Sequence, residues 1–252
     1  MSTPSSRRRQ YEYELRLREQ VLNSSINERA AVYTAVYADL FSNFPDHSVF
    51  IPDEERQKAG RIKASLLLPL LSAPSDVLEI GCGRGDVLVE FKRRGHSCTG
   101  TEPSQEMIEL CSKDIQVLIG CAHELDFPDS SFDMVFSQQV LEHLHPDDVP
   151  IHFKEAYRVL RHGGIFATES PNPTTGPQDV SRGFTKTAQG LHLKEWSVKE
   201  LLNQYKLAGF KNIKGLLAPP FLVRRVPILH KISRVPGYVK WLQDGMLKLA
   251  GC

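Results

Sequence analysis

The sequence carries no surplus of charge of either sign: 31 Lys and Arg against 30 Asp and Glu leave a formal net charge of +1. That balance removes the general electrostatic ground for expecting nucleic acid as a partner. It also lacks any C-x-x-C pair, and its cysteines (Cys82, Cys98, Cys111, Cys121 and Cys252) are odd in number. Neither a disulfide framework nor a zinc site is expected from them, no metal site is predicted, and a reducing cytoplasm fits best. No apolar run approaches a membrane span; the longest, Leu66 to Leu71, is broken by Pro69. Residues 1–10 are rich in Ser and Arg without the apolar core of a secretory leader, so a soluble protein with a disordered basic tail is expected. What is present, 41% hydrophobic and 24% charged residues over 252 positions, suits one α/β domain with extensions.

From Tyr11 to about Leu71 the pattern is helical, interrupted around Phe44 to Ser48. After Pro74 and Ser75, short apolar runs alternate with amphipathic ones. Val77–Ile80, Ser97–Thr101, Val117–Ile119, Asp133–Ser137 and Ile165–Glu169 read as strands. Helical spacing separates them, as in Val87, Leu88 and Phe91, or Phe153, Tyr157 and Leu160. Such alternation predicts a parallel sheet covered by helices on both faces. Residues 170–196 form a long Pro-, Thr-, Gly- and Ser-rich connection, a length that marks a disordered or functional loop. Ser197 and Glu200 then spell a capping box, and Asn212–Leu217 a late strand.

Ligands of open parallel sheets bind beyond the carboxyl ends of the strands. The loop Gly81-Cys82-Gly83-Arg84-Gly85 follows the first strand, and its glycines let a ligand approach the backbone while a helix start offers free amides. Glu79 precedes the loop, and Glu102 ends the second strand, where a carboxylate can accept from both hydroxyls of a ribose. A nicotinamide fingerprint would put its third glycine at Asp86; here the glycine is Gly85, which disfavours a dehydrogenase.

These segments, with Gly100–Ser104, Phe127–Asp133, Val140–Leu144, Arg158–Gly164 and Ala208–Phe210, resemble the class I methyltransferase family. The likeness is greatest to its small-molecule branch, typified by the ubiquinone-biosynthesis methyltransferases, and covers roughly residues 75–215 in order. The resemblance implies a Rossmann-like three-layer α/β sandwich with a mostly parallel, seven-strand-type sheet. It implies a helical cap over 11–71 acting as a lid, a methyltransferase domain over 72–218, and S-adenosylmethionine as cofactor. Glu79 would approach the methionine amino group, Gly81, Gly83 and Gly85 the methionine and ribose, and Glu102 the ribose hydroxyls. Ala122 and His123 would lie along the adenine, and Gln138 beside the methionine. Cys121 departs from the pattern, because many relatives carry an Asp there and a thiol is a poor acceptor.

Methyl transfer mainly needs alignment of donor and acceptor, with a general base where the acceptor is a hydroxyl. His143 and His192 are the candidate bases; each has a competing reading, His143 as a structural histidine and His192 as a solvated loop residue. Tyr33 and Tyr37, one helical turn apart, either line the lid or serve packing. The expected acceptor is a small molecule or a glycan-type or lipid-linked metabolite, methylated on oxygen or nitrogen. The segment Glu169–Thr174 looks like one found in bacterial methyltransferases of polysaccharide and cell-surface pathways. A non-catalytic, methyltransferase-like binding subunit is the alternative. The final stretch, 219–252, is basic and amphipathic: it reads as a helical extension, either a solvent-facing cover or a peripheral contact with anionic membrane.

Overall fold

The computed structural model describes residues 4–45, 47, 51–217 and 238–243. Three helices come first: α1 (Pro4–Leu22), α2 (Arg29–Asn43) and α3 (Asp53–Leu67). The expected tail is therefore helical from Pro4 onward, and Arg7 Nε donates to the Val180 carbonyl at 3.3 Å. Alternation follows: β1 (Asp76–Ile80), α4 (Asp86–Arg93), β2 (Ser97–Glu102), α5 (Gln105–Glu109), β3 (Gln116–Ile119), β4 (Phe132–Gln138), α6 (Asp148–Val159) and β5 (Leu160–Glu169). The chain then runs through α7 (Val198–Leu207), β6 (Ile213–Leu217) and β7 (Tyr238–Gln243).

The strands lie in the order β3-β2-β1-β4-β5-β7-β6. Every paired neighbour is parallel. Strands covered on both faces lose the alternation of a half-exposed sheet, which explains the nearly continuous burial along β1 and β4. One core lies on the side of α1, α2, α6 and α7, with Leu17, Val36, Phe153 and Tyr205. The other lies under α3 and α4, with Leu67, Leu88, Phe91 and Phe136. This is the three-layer arrangement that alternating elements impose.

Three expectations change. β5 starts at Leu160, not Ile165, because Leu160 already pairs with Phe132 across an irregularity between Phe132 and Met134. Segment 170–196, expected to be either disordered or functional, is held in place, which removes the first of these readings. Asp179 accepts from the Ser181 and Gly190 amides at 3.0 and 2.6 Å, and the Arg18 guanidinium collects the carbonyls of Gly190, His192 and Leu193. The basic extension expected as helix contributes strand β7, whose β-branched and aromatic content fits an extended ribbon. The rest of 219–252, with its expected membrane contact, lies outside the described residues. Among the described residues no helix is long and apolar enough to cross a membrane. The capping box forms as read: Ser197 Oγ accepts from the Glu200 amide and Glu200 accepts from the Ser197 amide.

Candidate functional site

The strand order turns between β1 and β4, so the connections leaving these two strands diverge and open a crevice at their carboxyl ends. There the glycine loop faces the end of β4, and α1, α2 and α3 close the far side of a cavity of about 700 Å³. That size suits a ligand of a few dozen atoms.

One end of the cavity is built from the glycine loop. Gly81 has φ of +68°, and a Cβ there would stand 2.5 Å from Val140 Cγ2. Gly83 has φ of +53°, and its Cβ would meet nothing within 4 Å, so its missing side chain leaves room for a ligand against the backbone. Gly85, with φ of +73°, starts α4 and is not among the lining residues; its part is the turn itself. Salt bridges from Arg56 to Asp86 and from Arg84 to Asp53 (3.2 Å) tie the loop and α4 to α3. Helix α3 comes this close because Gly60 has no Cβ, which would lie 2.8 Å from Asp86 Cβ.

Two carboxylates serve this end. Glu102 Oε2 accepts from the Gly83 amide at 2.9 Å and Oε1 from the Ser104 amide at 3.1 Å. These bonds fix the carboxylate while each oxygen keeps a lone pair for a ribose hydroxyl. Burial nevertheless pushes the Glu102 carboxyl up, with the two amides pulling it back. Glu79 lines the cavity, is 4% exposed, and its Oε2 has no hydrogen-bond partner. Burial raises its pKa well above the ordinary carboxylate range, partly countered by Lys63. Gln138 Nε2 is likewise buried and unpartnered. An unsatisfied buried carboxylate costs stability in isolation, so this end fits a ligand bearing a cationic amine beside a ribose.

The other end carries His143 and His192, whose rings meet edge to face with centroids 4.8 Å apart. His143 Nδ1 lies 3.0 Å from the Leu191 carbonyl, so Nδ1 bears the proton and Nε2 keeps a lone pair. Burial, then the neighbouring His192, pulls His143 down to about 3, keeping it neutral. His192 Nδ1 lies 2.8 Å from Glu195 Oε1. Burial lowers the His192 pKa, but the bond to Glu195 and the charge of Glu142 outweigh it and leave it above the ordinary value. The structural and functional readings of His143 thus coincide: one nitrogen braces a distant loop, and the ring still lines the cavity. Tyr37 packs edge-on to His143 (6.3 Å), and burial, then the charges of Glu102 and Glu142, holds its hydroxyl protonated. Tyr33 also lines the cavity, but its hydroxyl is spent on structure, donating to Asp148 Oδ2 at 3.1 Å and accepting from the His145 amide at 2.6 Å.

The cavity brings together Glu79, Gly81, Gly83, Glu102, Ala122, Gln138, His143 and His192. His123 is not on its wall. The ring lies beside Tyr33, and its Nδ1 sits 3.7 Å from Asp148 Oδ2, buried and without a hydrogen-bond partner. Cys121 lines the cavity, with a thiol that burial pushes up to about 12. Glu142 and Glu195 were not singled out in the sequence. The signal was there in the Glu142-His143 pair and in Glu195 three positions after His192, yet neither has meaning until the loop folds back on β4.

A parallel α/β sheet with a glycine loop after β1 and an acidic residue ending β2 defines a nucleoside-binding fold of the methyltransferase type. Residues 78–168 match the family model described as a methyltransferase domain. A probable S-adenosylmethionine-dependent methyltransferase of Mycolicibacterium smegmatis is 33% identical over 55% of this chain and 53% of its own length. An uncharacterised protein of Methanocaldococcus jannaschii is 30% identical over 64% of this chain and 75% of its own. Among solved structures, the 1,6-didemethyltoxoflavin-N1-methyltransferase of Burkholderia thailandensis superposes with a TM-score of 0.55 at 24% identity, covering 75% of this chain and 80% of that one. The chain spans about half the length of the first curated relatives it matches. Residues 78–168 thus carry a methyltransferase domain, and the chain is similar to S-adenosylmethionine-dependent methyltransferases. The methyl donor carries both groups that the first end of the cavity fits, an amine for Glu79 and a ribose for Glu102.

Proposed function

We propose that this chain transfers a methyl group from S-adenosylmethionine to an oxygen or nitrogen of a small metabolite, and that it falls in the small-molecule, ubiquinone-biosynthesis-like branch. The observation that carries this reading is one cavity whose two ends differ in chemistry. Glu79, Gly83 and Glu102 stand at one end, and two imidazoles with Nε2 available stand at the other. The donor, when bound, supplies a methyl carbon activated by its sulfonium. Glu79 and Glu102 anchor the amine and the ribose, and the glycine loop lets the ligand lie against the backbone. The α1, α2 and α3 wall limits water, and His143 is held neutral so that its Nε2 accepts a proton from an acceptor hydroxyl. The Val140–Leu144 segment supports the branch, and Glu169–Thr174 favours a sugar or lipid-linked acceptor.

Calorimetric titration with S-adenosylmethionine and its demethylated product, followed by transfer of labelled methyl into a fractionated metabolite extract, tests the reading. Donor binding with label in a low-molecular-weight product is expected. Donor binding without any transfer would make the chain a binding subunit, and no donor binding would sink the reading altogether. Within that assay Glu102→Ala is expected to weaken donor binding by about 1–3 kcal/mol, the cost of leaving buried partners unpaired. Unchanged affinity in this variant would refute the ribose assignment.

A further inference from the structure

The acceptor end has more chemistry than two bases need. Among the described residues, Glu142, His143 and His192 each offer a ligand atom, and these atoms all lie within 4.8 Å of one another. Glu142 comes from the segment after β4 and is 0% exposed. Its Oε2 accepts from Ser170 Oγ at 3.1 Å, while Oε1 is buried with no partner. Each imidazole has its Nδ1 engaged, His143 on the Leu191 carbonyl and His192 on Glu195 Oε1, which leaves Nε2 as the free nitrogen of both.

That is how histidine ligands of metals are built. A backbone carbonyl or a carboxylate on one ring nitrogen fixes the tautomer, orients the ring and raises the basicity of the other nitrogen. We propose that Glu142, His143 and His192 form a divalent-cation site at the acceptor end of the cavity, with Ser170, the Leu191 carbonyl and Glu195 as its supporting shell.

Two imidazoles and one carboxylate select a borderline cation of the zinc, iron(II), cobalt(II) or manganese(II) type over calcium or magnesium, which prefer all-oxygen ligands. Ions of this class hold nitrogen and oxygen ligands at about 2.0–2.2 Å, so the three atoms close in by about an ångström when the ion enters. The cation supplies the positive partner that the buried Glu142 Oε1 lacks. Three protein ligands leave coordination positions open towards the cavity that His143 and His192 line. The site therefore selects acceptors that present a hydroxyl or carboxylate oxygen. This last step rests on the methyltransferase reading; the metal site itself does not, and with an ion bound the His143 Nε2 lone pair is a ligand, so the ion replaces that nitrogen as the group that activates the acceptor oxygen. The sequence predicts no metal because its cysteines are unsuited and because His192 meets the Glu142-His143 pair only through the fold.

The test is a titration of the full chain, freed of metal by dialysis against a chelator, first with Co²⁺ and then with Zn²⁺. One equivalent of Co²⁺ is expected to bind saturably, with visible d–d absorption of a nitrogen- and oxygen-ligated ion, and to be displaced by Zn²⁺. The ring protons of His143 and His192 should show paramagnetic shifts in the unaltered protein, a readout that needs no variant to fold. His192→Ala and Glu142→Gln should each weaken Co²⁺ binding by at least 10-fold, while His162→Ala, at an exposed histidine near the start of β5, should bind like the parent. Absence of one-equivalent binding, or binding that ignores both ligand variants, would overturn the site. Donor calorimetry on the same sample keeps the two readings apart. Metal binding without donor binding fails only the methyltransferase reading, and the reverse fails only the metal site.

Discussion

Gly83→Val is expected to abolish detectable donor binding while leaving a folded protein. The Cβ of residue 83 would meet no protein atom within 4 Å, so the added carbons enter the cavity itself and occupy the space in which a ligand lies against the loop. The amide of Gly83 is also the donor to Glu102 Oε2, so the obstruction stands beside the anchoring carboxylate. A second cost is conformational, since φ of +53° disfavours any residue with a side chain by about 1–2 kcal/mol. Gly83→Ala separates the two. It carries part of the backbone strain, less than a β-branched valine, with far less bulk, and should melt no lower than the valine variant yet keep weakened donor binding. Melting by circular dichroism and calorimetry with the donor are the measurements. A valine variant that titrates like the parent would show that the donor does not use this loop.

Arg29→Ala is expected to cost about 3–5 kcal/mol of folding stability, read from the urea midpoint, because it strands a buried carboxylate. Arg29 opens α2, is 4% exposed and forms a salt bridge with Asp148, whose own exposure is 0%. Its Nη2 also donates to the Ser24 carbonyl at 2.8 Å, so one guanidinium joins the α1–α2 connection to the start of α6. The Tyr33 hydroxyl on Asp148 Oδ2 remains in the variant, but a neutral donor does not offset the charge. Arg8→Ala makes the comparison. Its bridge to Glu12 is open to solvent on both sides, and removal should fall within about 0.5 kcal/mol of the parent. An Arg29 variant as stable as that of Arg8 would mean that the α2–α6 contact is not a strut of the fold.

The glycine loop and the carboxylates Glu79 and Glu102 that line the cavity with it were legible in the sequence because local order encodes their placement. Strand, glycine loop, helix and acidic strand end follow one another between Val77 and Glu102, and each cue acts within a few residues. The acceptor end was half legible. His143 and His192 were recognisable as candidates, but their pairing depends on a loop that Arg18 and Glu14 of α1 fasten from the other end of the sequence. That His123 stands off the cavity wall, near Asp148, is written in no local pattern. The tail misled because polarity over residues 4–10 signals solvent exposure without excluding helix, and Arg7 has a docking carbonyl only in the folded chain. Strand β7 follows a basic, amphipathic pattern that composition alone reads as helix.

The grip of α1 on the loop at 190–193 has a consequence for how the histidine side of the cavity can vary. Arg18 and Glu14 fix the backbone that presents His192, and both lie outside the segment 78–168 that defines the family. The backbone that presents His192 is thus fixed by sequence outside that segment, whereas the glycine loop, Glu102 and His143 lie inside it. The segment can stay constant while the N-terminal helices drift and carry the His192 side of the cavity with them.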